Sequence, residues 1–247
     1  MLREFCLRMG DNTLVLAQRI SAWCGHAPVL EEDIAMANVA LDLIGQTQYW
    51  LGLAGRQDGY DQTADQLAYF RDVFDFRNFL LVEQPDTDYA CTLMRQFLFD
   101  AWHVPQLEAL CLSRQTEVAD IALKAVKEAS YHLERSSDLV MRLGDGSEES
   151  HQRMQRALNL LWPYTGEFFS ADSIDRSCAE QGIAPDPLSI QTPWLECVEL
   201  VLKEGALNIP EDGYMHSGGK AGKHTEHLGY LLAEMQFLQR AYPGCEW

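Results

Sequence analysis

The sequence has no long apolar run and no paired cysteines. None of its 247 residues lies in an uninterrupted apolar stretch near the ~20 residues that a membrane helix needs, and the charged start MLREF lacks the pattern of a signal peptide. The seven cysteines are an odd number, lie far apart and form no Cys-x-x-Cys pair, which argues against a disulfide framework or a zinc site. We therefore expect a cytoplasmic protein whose cysteines are mostly small core residues.

Basic side chains are scarce. There are 19 Lys and Arg against 37 Asp and Glu, which gives a formal net charge of −18. Nucleic acids and anionic lipid surfaces are bound by clustered Lys and Arg, so this charge argues against both as partners. A protein partner with a basic face remains compatible with it.

Strong alternation of apolar and polar residues, typical of β-strands, is also absent. Instead, apolar residues recur three or four positions apart, as on one face of a helix. Met9, Leu16 and Ile20 mark such a face in the first helix, and Thr13 lies in its middle. The expected helices cover residues up to about 25, then 31–53, 67–82, 89–112, 118–143, 148–169 with a kink at Pro163, 194–207 after a proline-rich loop at 185–193, and 225–242.

Four of these helices are long and form two pairs with a long connection between them. This arrangement predicts an all-α, ferritin-like helical bundle with a long crossover and additional C-terminal helices. We expect residues 1–247 to form a single ferritin-like domain. Its core bundle would occupy about residues 2–143, and the additional helices about residues 148–242.

Bundles of this class hold two metal ions with a Glu from each of two helices and a Glu-x-x-His motif from each of the other two. If Thr13 is the first single-ligand slot, the paired two-ligand slot is Leu43-x-x-Gln46, which begins 43 − 13 = 30 residues later. The second half repeats the arrangement, with Asp100 followed after 129 − 100 = 29 residues by a second two-ligand slot. The six slots are Thr13, Leu43, Gln46, Asp100, Ala129 and His132.

Only two of the six slots, Asp100 and His132, keep a side chain of the ligand type. Two ligands cannot hold a di-metal centre, and neutral or apolar side chains do not compensate two divalent cations. Asp100 and His132 are compatible with a residual metal site, but we favour a buried hydrogen bond between them that holds two helices in register. We therefore predict no metal and no catalytic residue in this chain.

A second group of residues near the C-terminus resembles a binding site. His224, Glu226 and His227 suggest a metal cluster, but we favour a helix start with Thr225 as its cap. The preceding segment SGGKAGK combines glycines and lysines without the order of a nucleotide-binding P-loop. Its lysines are candidates for contact with an anionic CoA moiety or with an acidic face of a partner. They are Lys220 and Lys223.

Several short motifs, spread over nearly the whole chain, resemble one family. They are LRMGDN (7–12), WCGHAP (23–28), LDLIGQ (41–46), LLVEQP (80–85), DAWH (100–103), KEASYH (127–132) and KHTEHLG (223–229). Together they resemble the structural beta subunits of the bacterial ring-1,2-phenylacetyl-CoA epoxidase, the PaaC family. The catalytic alpha subunit of that enzyme has similar motifs with its metal ligands present, and the comparison places ligand Glu at Leu43 and Ala129 and ligand His at Gln46 and His132.

The resemblance implies a function in aerobic phenylacetate catabolism. In such a complex the alpha subunit uses a di-iron centre to activate oxygen and epoxidises the ring of phenylacetyl-CoA. Electrons come from a reductase component with FAD, an iron–sulfur cluster and NADPH, and the complex also contains a small subunit. The chain would scaffold the alpha subunit, contact phenylacetyl-CoA at most indirectly, and carry no cofactor of its own.

Two other functions remain open from the residues alone. The first is an active di-metal oxygenase or oxidase with unconventional ligands. The second is a stand-alone ferritin-like protein that binds acyl-CoA without chemistry. Iron content separates the first from a scaffold, and co-purification with a catalytic homologue separates the second.

Overall fold

The computed structural model describes residues 1–57, 59–211 and 213–245. Within these ranges it contains helices and no strand, so the prediction of an all-α protein is confirmed. No helix in these ranges is both long and apolar enough to cross a membrane. The α-helices are α1 Leu2–Trp23, α2 Leu30–Gly55, α3 Ala64–Tyr69, α4 Tyr89–Leu110, α5 Thr116–Gly144, α6 Glu148–Leu161, α7 Ser173–Glu180, α8 Pro187–Glu204, α9 Glu226–Met235 and α10 Phe237–Ala241.

The chain divides into two compact units. The first comprises residues 1–85 and 218–247, and the second comprises residues 86–217. The first contains α1, α2, α3, α9 and α10, and the second contains α4 to α8. The expectation of a single ferritin-like domain stays a prediction.

In the first unit, α1 and α2 form an antiparallel hairpin. Phe5 near the start of α1 contacts Trp50 near the end of α2, with ring centroids 6.2 Å apart in an edge-to-face arrangement. Near the middle of α1, a Cβ atom on Gly10 would lie 2.6 Å from Cδ2 of Leu51, so only glycine allows this close approach. All residues of α1 from Phe5 to Ala17 are buried, so the helix buries more than the one face that its periodicity predicts.

In the second unit, α4 and α5 form the corresponding hairpin. α6 and α8 both pack against α4 and α5. The indole Nε1 of Trp194 on α8 donates to the Leu98 carbonyl of α4 at 3.1 Å. A Cβ atom on Gly144, the last residue of α5, would lie 2.3 Å from the Gly205 carbonyl oxygen, which explains a glycine at this helix end.

The four long helices were predicted to within three residues at nearly every end, but the helix at 67–82 is wrong. α3 ends at Tyr69, and only a 3-10 turn at Val73–Asp75 follows before α4. The reason is competition from α1: the backbone N–H of Arg77 donates to Asp11 and that of Phe79 donates to Asn12, each at 2.8 Å. Side chains on α1 thus take backbone donors that a helix would use internally.

Proline positions account for two further differences. The helix expected at 148–169 ends at Leu161, and Pro163 lies in a separate 3-10 turn, followed by another at Gly166–Phe169 and by α7, which was not predicted. Residues 187–193, expected in a loop, are the start of α8. Its N-cap Asp186 accepts from the backbone N–H of Leu188 at 3.1 Å, and Pro187 occupies the first helical position, where proline is favourable.

The helix expected at 225–242 is divided in two at Gln236. The side-chain amide of this residue donates to the Ala68 carbonyl at 2.9 Å and to the Arg71 carbonyl at 3.0 Å. α9 and α10 lie on either side of it. A further short 3-10 turn occupies Gly219–Ala221.

All seven cysteines are free thiols, as expected for a chain without a disulfide framework. The prediction that most are core residues holds for only three of them. Cys6, Cys91 and Cys178 are buried, Cys111 and Cys197 are half-buried, and Cys24 and Cys245 are exposed.

Candidate functional site

The three ligand slots of the first hairpin are all buried and all electrically neutral. Leu43 is fully buried and carries no donor atom, and Gln46 is 2% exposed. The Thr13 hydroxyl lies 2.7 Å from the hydroxyl of Thr47, which also donates to the Leu43 carbonyl at 2.8 Å. A hydrogen-bonded pair of hydroxyls therefore occupies the predicted single-ligand slot of this hairpin.

Thr47 was not predicted from the sequence. It lies four residues after Leu43, on the same face of α2, so the helical period contained the signal for it. Thr13 also hydrogen bonds within its own helix, 3.0 Å from the Gly10 carbonyl. The polar atoms of this slot are thus satisfied by protein groups alone.

In the second hairpin, Asp100 keeps a carboxyl group at its slot. It is fully buried, and its partners are the Gln96 side-chain amide at 2.5 Å and the Ser136 hydroxyl of α5 at 2.9 Å. Burial raises the pKa of Asp100 to about 8, against a weaker lowering by these two hydrogen bonds. The carboxyl group is therefore protonated near neutral pH.

The predicted hydrogen bond between Asp100 and His132 is replaced by another. Both residues are buried on facing helices, as expected. However, the carboxyl group bonds to Ser136, one turn further along α5. The link that holds α4 and α5 in register is thus a carboxyl–hydroxyl pair.

His103 is a further buried polar residue that was not predicted from the sequence. It lies three residues after Asp100, so both lie on one face of α4, and the spacing Asp-x-x-His was the available signal. The ring is fully buried beside Phe99 and Trp102, with centroids 5.0 and 6.0 Å away. Burial, with a smaller effect of nearby His132, lowers the pKa of His103 to about 3, so the ring is neutral.

These side chains do not fit a di-metal centre. Two divalent cations require several anionic carboxylates, whereas the first hairpin supplies none at its slots and Asp100 in the second is kept protonated by burial. In the ranges that the structure describes, no three His, Cys, Asp or Glu side chains are grouped so as to hold a metal ion. The identity of the six slots remains a prediction.

The C-terminal candidate site has a different structure from the one expected. Thr225 is the residue before α9, but its side chain makes no capping bond; its backbone N–H donates to Oε1 of Glu83 at 2.6 Å. His224 is buried, with Nδ1 2.9 Å from Oε2 of Glu83 and Nε2 donating to the Phe76 carbonyl at 3.0 Å. The Asn78 amide also donates to this carboxylate, at 3.1 Å.

The His224 ring therefore connects the C-terminal segment to the residues that follow α3, within the first unit. Lys220, in the 3-10 turn, is half-buried, and Lys223 is exposed. Gly222 between them has a φ of 75°, a left-handed conformation that favours glycine. A role of the two lysines in binding an anion stays a prediction.

Comparison with known proteins identifies a family model and one relative that match over the full length, and a second relative that matches in part. A family model described as phenylacetic acid catabolic protein matches residues 1–247. The chain is 48% identical over 246 residues to the C subunit of the 1,2-phenylacetyl-CoA epoxidase of Escherichia coli (strain K12), covering 100% of this chain and 99% of that protein. It is also 25% identical over 145 residues to the A subunit of the same enzyme, covering 57% of this chain and 44% of that protein.

Proposed function

Because the chain belongs to the phenylacetic acid catabolic protein family, we propose that it is the non-catalytic subunit of a phenylacetyl-CoA-epoxidising monooxygenase. Its partner would be an A-type subunit, which the family resemblance implies carries the di-iron centre. The observation that carries the proposal is the buried slot set itself. At the predicted slots, aliphatic and hydroxyl groups and a protonated carboxyl group stand where the bundle pattern expects anionic ligands.

The similarity to both subunits of one enzyme supports a common origin for the scaffold and the catalytic chain. A chain that has lost its metal ligands but kept its paired helices still offers a rigid, packed surface to which a helical partner can bind. The proposed complex also contains the reductase with FAD, an iron–sulfur cluster and NADPH, together with the small subunit. The cytoplasm is the proposed location, and Lys220 and Lys223 are proposed contacts for CoA phosphate groups or a partner's acidic face.

Co-expression tests this proposal. The chain would be produced with the A subunit of the Escherichia coli epoxidase, and both phenylacetyl-CoA epoxidation and co-purification would be measured with the reductase present. We expect stable co-purification and turnover for the pair, and no turnover for this chain with the reductase alone. The C subunit of the Escherichia coli enzyme serves as the positive control for assembly.

Two outcomes would contradict the proposal. Turnover by this chain without the A subunit would identify an active oxygenase with unconventional ligands. Failure to bind the A subunit, while the Escherichia coli C subunit binds it under the same conditions, would favour a stand-alone protein.

A further inference from the structure

Helix α2 carries a row of large apolar side chains that faces solvent. We call this row the α2 strip. Its spacings of four, seven and three residues keep it on one side of the helix, and it extends over about 21 Å at 1.5 Å per residue. The strip consists of Leu30, Ile34, Leu41 and Ile44, which are 70%, 53%, 64% and 38% exposed.

The equivalent helix of the second unit does not have such a strip. If Leu43 and Ala129 are equivalent slots, positions in α2 correspond to positions 129 − 43 = 86 residues later in α5. The counterparts of Ile34, Leu41 and Ile44 are then Asp120, Lys127 and Ser130, all exposed. The outward face of α5 thus carries polar side chains at these three positions, with Leu123 as an exposed leucine among them, whereas the row on α2 is apolar throughout.

An exposed apolar row of this length is unfavourable in water unless another surface covers it. The polar residues at these three positions of α5 show that the hairpin itself does not require a continuous apolar row there. The difference therefore indicates that the outward face of α2 is covered in the functional protein.

The charges of α2 indicate what covers it. The helix contains four acidic residues, Glu31, Glu32, Asp33 and Asp42, and no Lys, Arg or His. Glu31 and Asp42 directly follow the strip residues Leu30 and Leu41, so each lies about 100° around the helix from the strip, along its border. A second copy of this chain would bring these acidic borders together, on a protein whose net charge is already −18.

We propose that the α2 strip docks onto an apolar helix face bordered by Lys and Arg on a different protein chain. This inference rests on the proposed function, under which that chain is an A-type catalytic subunit. Apolar side chains at the centre would supply most of the affinity, and the charged border would fix the partner and the orientation.

A matched pair of substitutions tests the strip. Leu41→Lys places at the centre of the strip the residue type found at its α5 counterpart. Leu123→Lys makes the same change at another exposed leucine, 52% exposed, on α5. Binding of each variant to the purified Escherichia coli A subunit would be measured by calorimetry or surface plasmon resonance, with melting temperature as a check of folding.

We expect Leu41→Lys to weaken binding by at least about tenfold, because it replaces a leucine that the partner would bury by a cation that faces the partner's basic border. We expect Leu123→Lys to leave the affinity unchanged. Glu31→Lys should cause a smaller weakening through the border charge. Both α2 variants should melt at the temperature of the wild type, because the altered side chains face solvent in the isolated chain.

The outcomes of this experiment separate the two proposals. If the wild-type chain binds the A subunit and Leu41→Lys binds equally well, the strip is not the docking surface, although the proposed function stands. If Leu41→Lys instead dissociates a wild-type homodimer and leaves binding to the A subunit unchanged, the occupant is a second copy and the inference is overturned. If the wild-type chain does not bind while the Escherichia coli C subunit does, the proposed function itself fails.

Discussion

Glu83 in the first unit and Asp100 in the second are both fully buried carboxyl groups, and they differ in their partners. Glu83 accepts from the Asn78 amide and the backbone N–H of Thr225, and Nδ1 of His224 lies 2.9 Å from its Oε2. Asp100 is bonded to the neutral amide of Gln96 and to the hydroxyl of Ser136. Glu83 thus contacts three polar groups, whereas Asp100 has two neutral partners, and burial raises the pKa of Asp100 to about 8 in spite of their hydrogen bonds.

The two slots for single ligands differ in a related way. At the predicted slot Thr13 a hydroxyl bonds to Thr47, whereas at the predicted slot Asp100 a carboxyl group is present but keeps its proton. Both solutions remove the negative charge that a di-metal site needs. A buried carboxyl group such as Asp100 is therefore not by itself evidence of a ligand, because burial can keep it protonated.

The largest expected effect comes from changing the paired carboxylate. Glu83→Gln leaves His224 beside a neutral amide and weakens the attachment of the C-terminal segment in the first unit. Leaving a buried donor without an acceptor costs about 1–3 kcal/mol, and the new amide keeps only one of the two oxygens that the Asn78 amide, the Thr225 N–H and the His224 ring contact. We therefore expect a loss of about 2–4 kcal/mol of unfolding free energy. Urea unfolding at pH 7, followed by far-UV circular dichroism, would measure it.

The matched control is the same acid-to-amide change at Asp100. A loss below about 1 kcal/mol for Glu83→Gln would show that the pair behaves like an exposed one and would remove the contrast between the two units.

Asp100→Asn should have a smaller effect, in the opposite direction. The amide can accept from Gln96 and donate to Ser136, so both hydrogen bonds can still form. The pKa of the wild-type carboxyl group is about 8 when folded and returns to its ordinary value of 3.8 when unfolded. Between these values the folded state binds more protons, so its stability falls as pH rises, by up to about 1.4 kcal/mol per pH unit.

We therefore expect Asp100→Asn to stabilise the protein by ~1–3 kcal/mol at pH 7 and to remove this part of the pH dependence. Wild type and variant should converge below about pH 4, where the carboxyl group is protonated in both states. The difference between the unfolding free energies of wild type and variant at each pH isolates the contribution of Asp100, because His103 contributes equally to both proteins. A variant that is less stable than wild type at pH 7 would indicate a carboxylate that is ionised when folded.

Local signals in the sequence were sufficient to predict the long helices. These helices follow from apolar periodicity, and their ends from residues such as Gly144. The segment after α3 could not be predicted, because its backbone donors are taken by Asp11 and Asn12, which lie far away in the chain. Pairings across the fold, such as Glu83 with His224, are likewise invisible to periodicity.

Within the candidate site, the sequence indicated which positions lie inward but not what they bond to. Asp100 and His132 are buried as expected, whereas the partner of Asp100 on α5 is Ser136. His103 and Thr47 share helix faces with the expected ligand positions but match no slot of the metal-binding pattern, so the pattern did not identify them. Hydrogen-bond choice depends on side-chain reach across two helices, which spacing alone does not determine.

The iron content of the purified chain tests the central claim most directly. The chain would be produced alone in cells grown with added iron, purified without chelators and measured by elemental analysis, with the Escherichia coli A subunit treated in parallel as the expected iron-containing control. The slot set described above predicts iron well below one atom per chain. Two tightly bound irons per chain, retained through purification as in a di-iron carboxylate protein, would contradict the account.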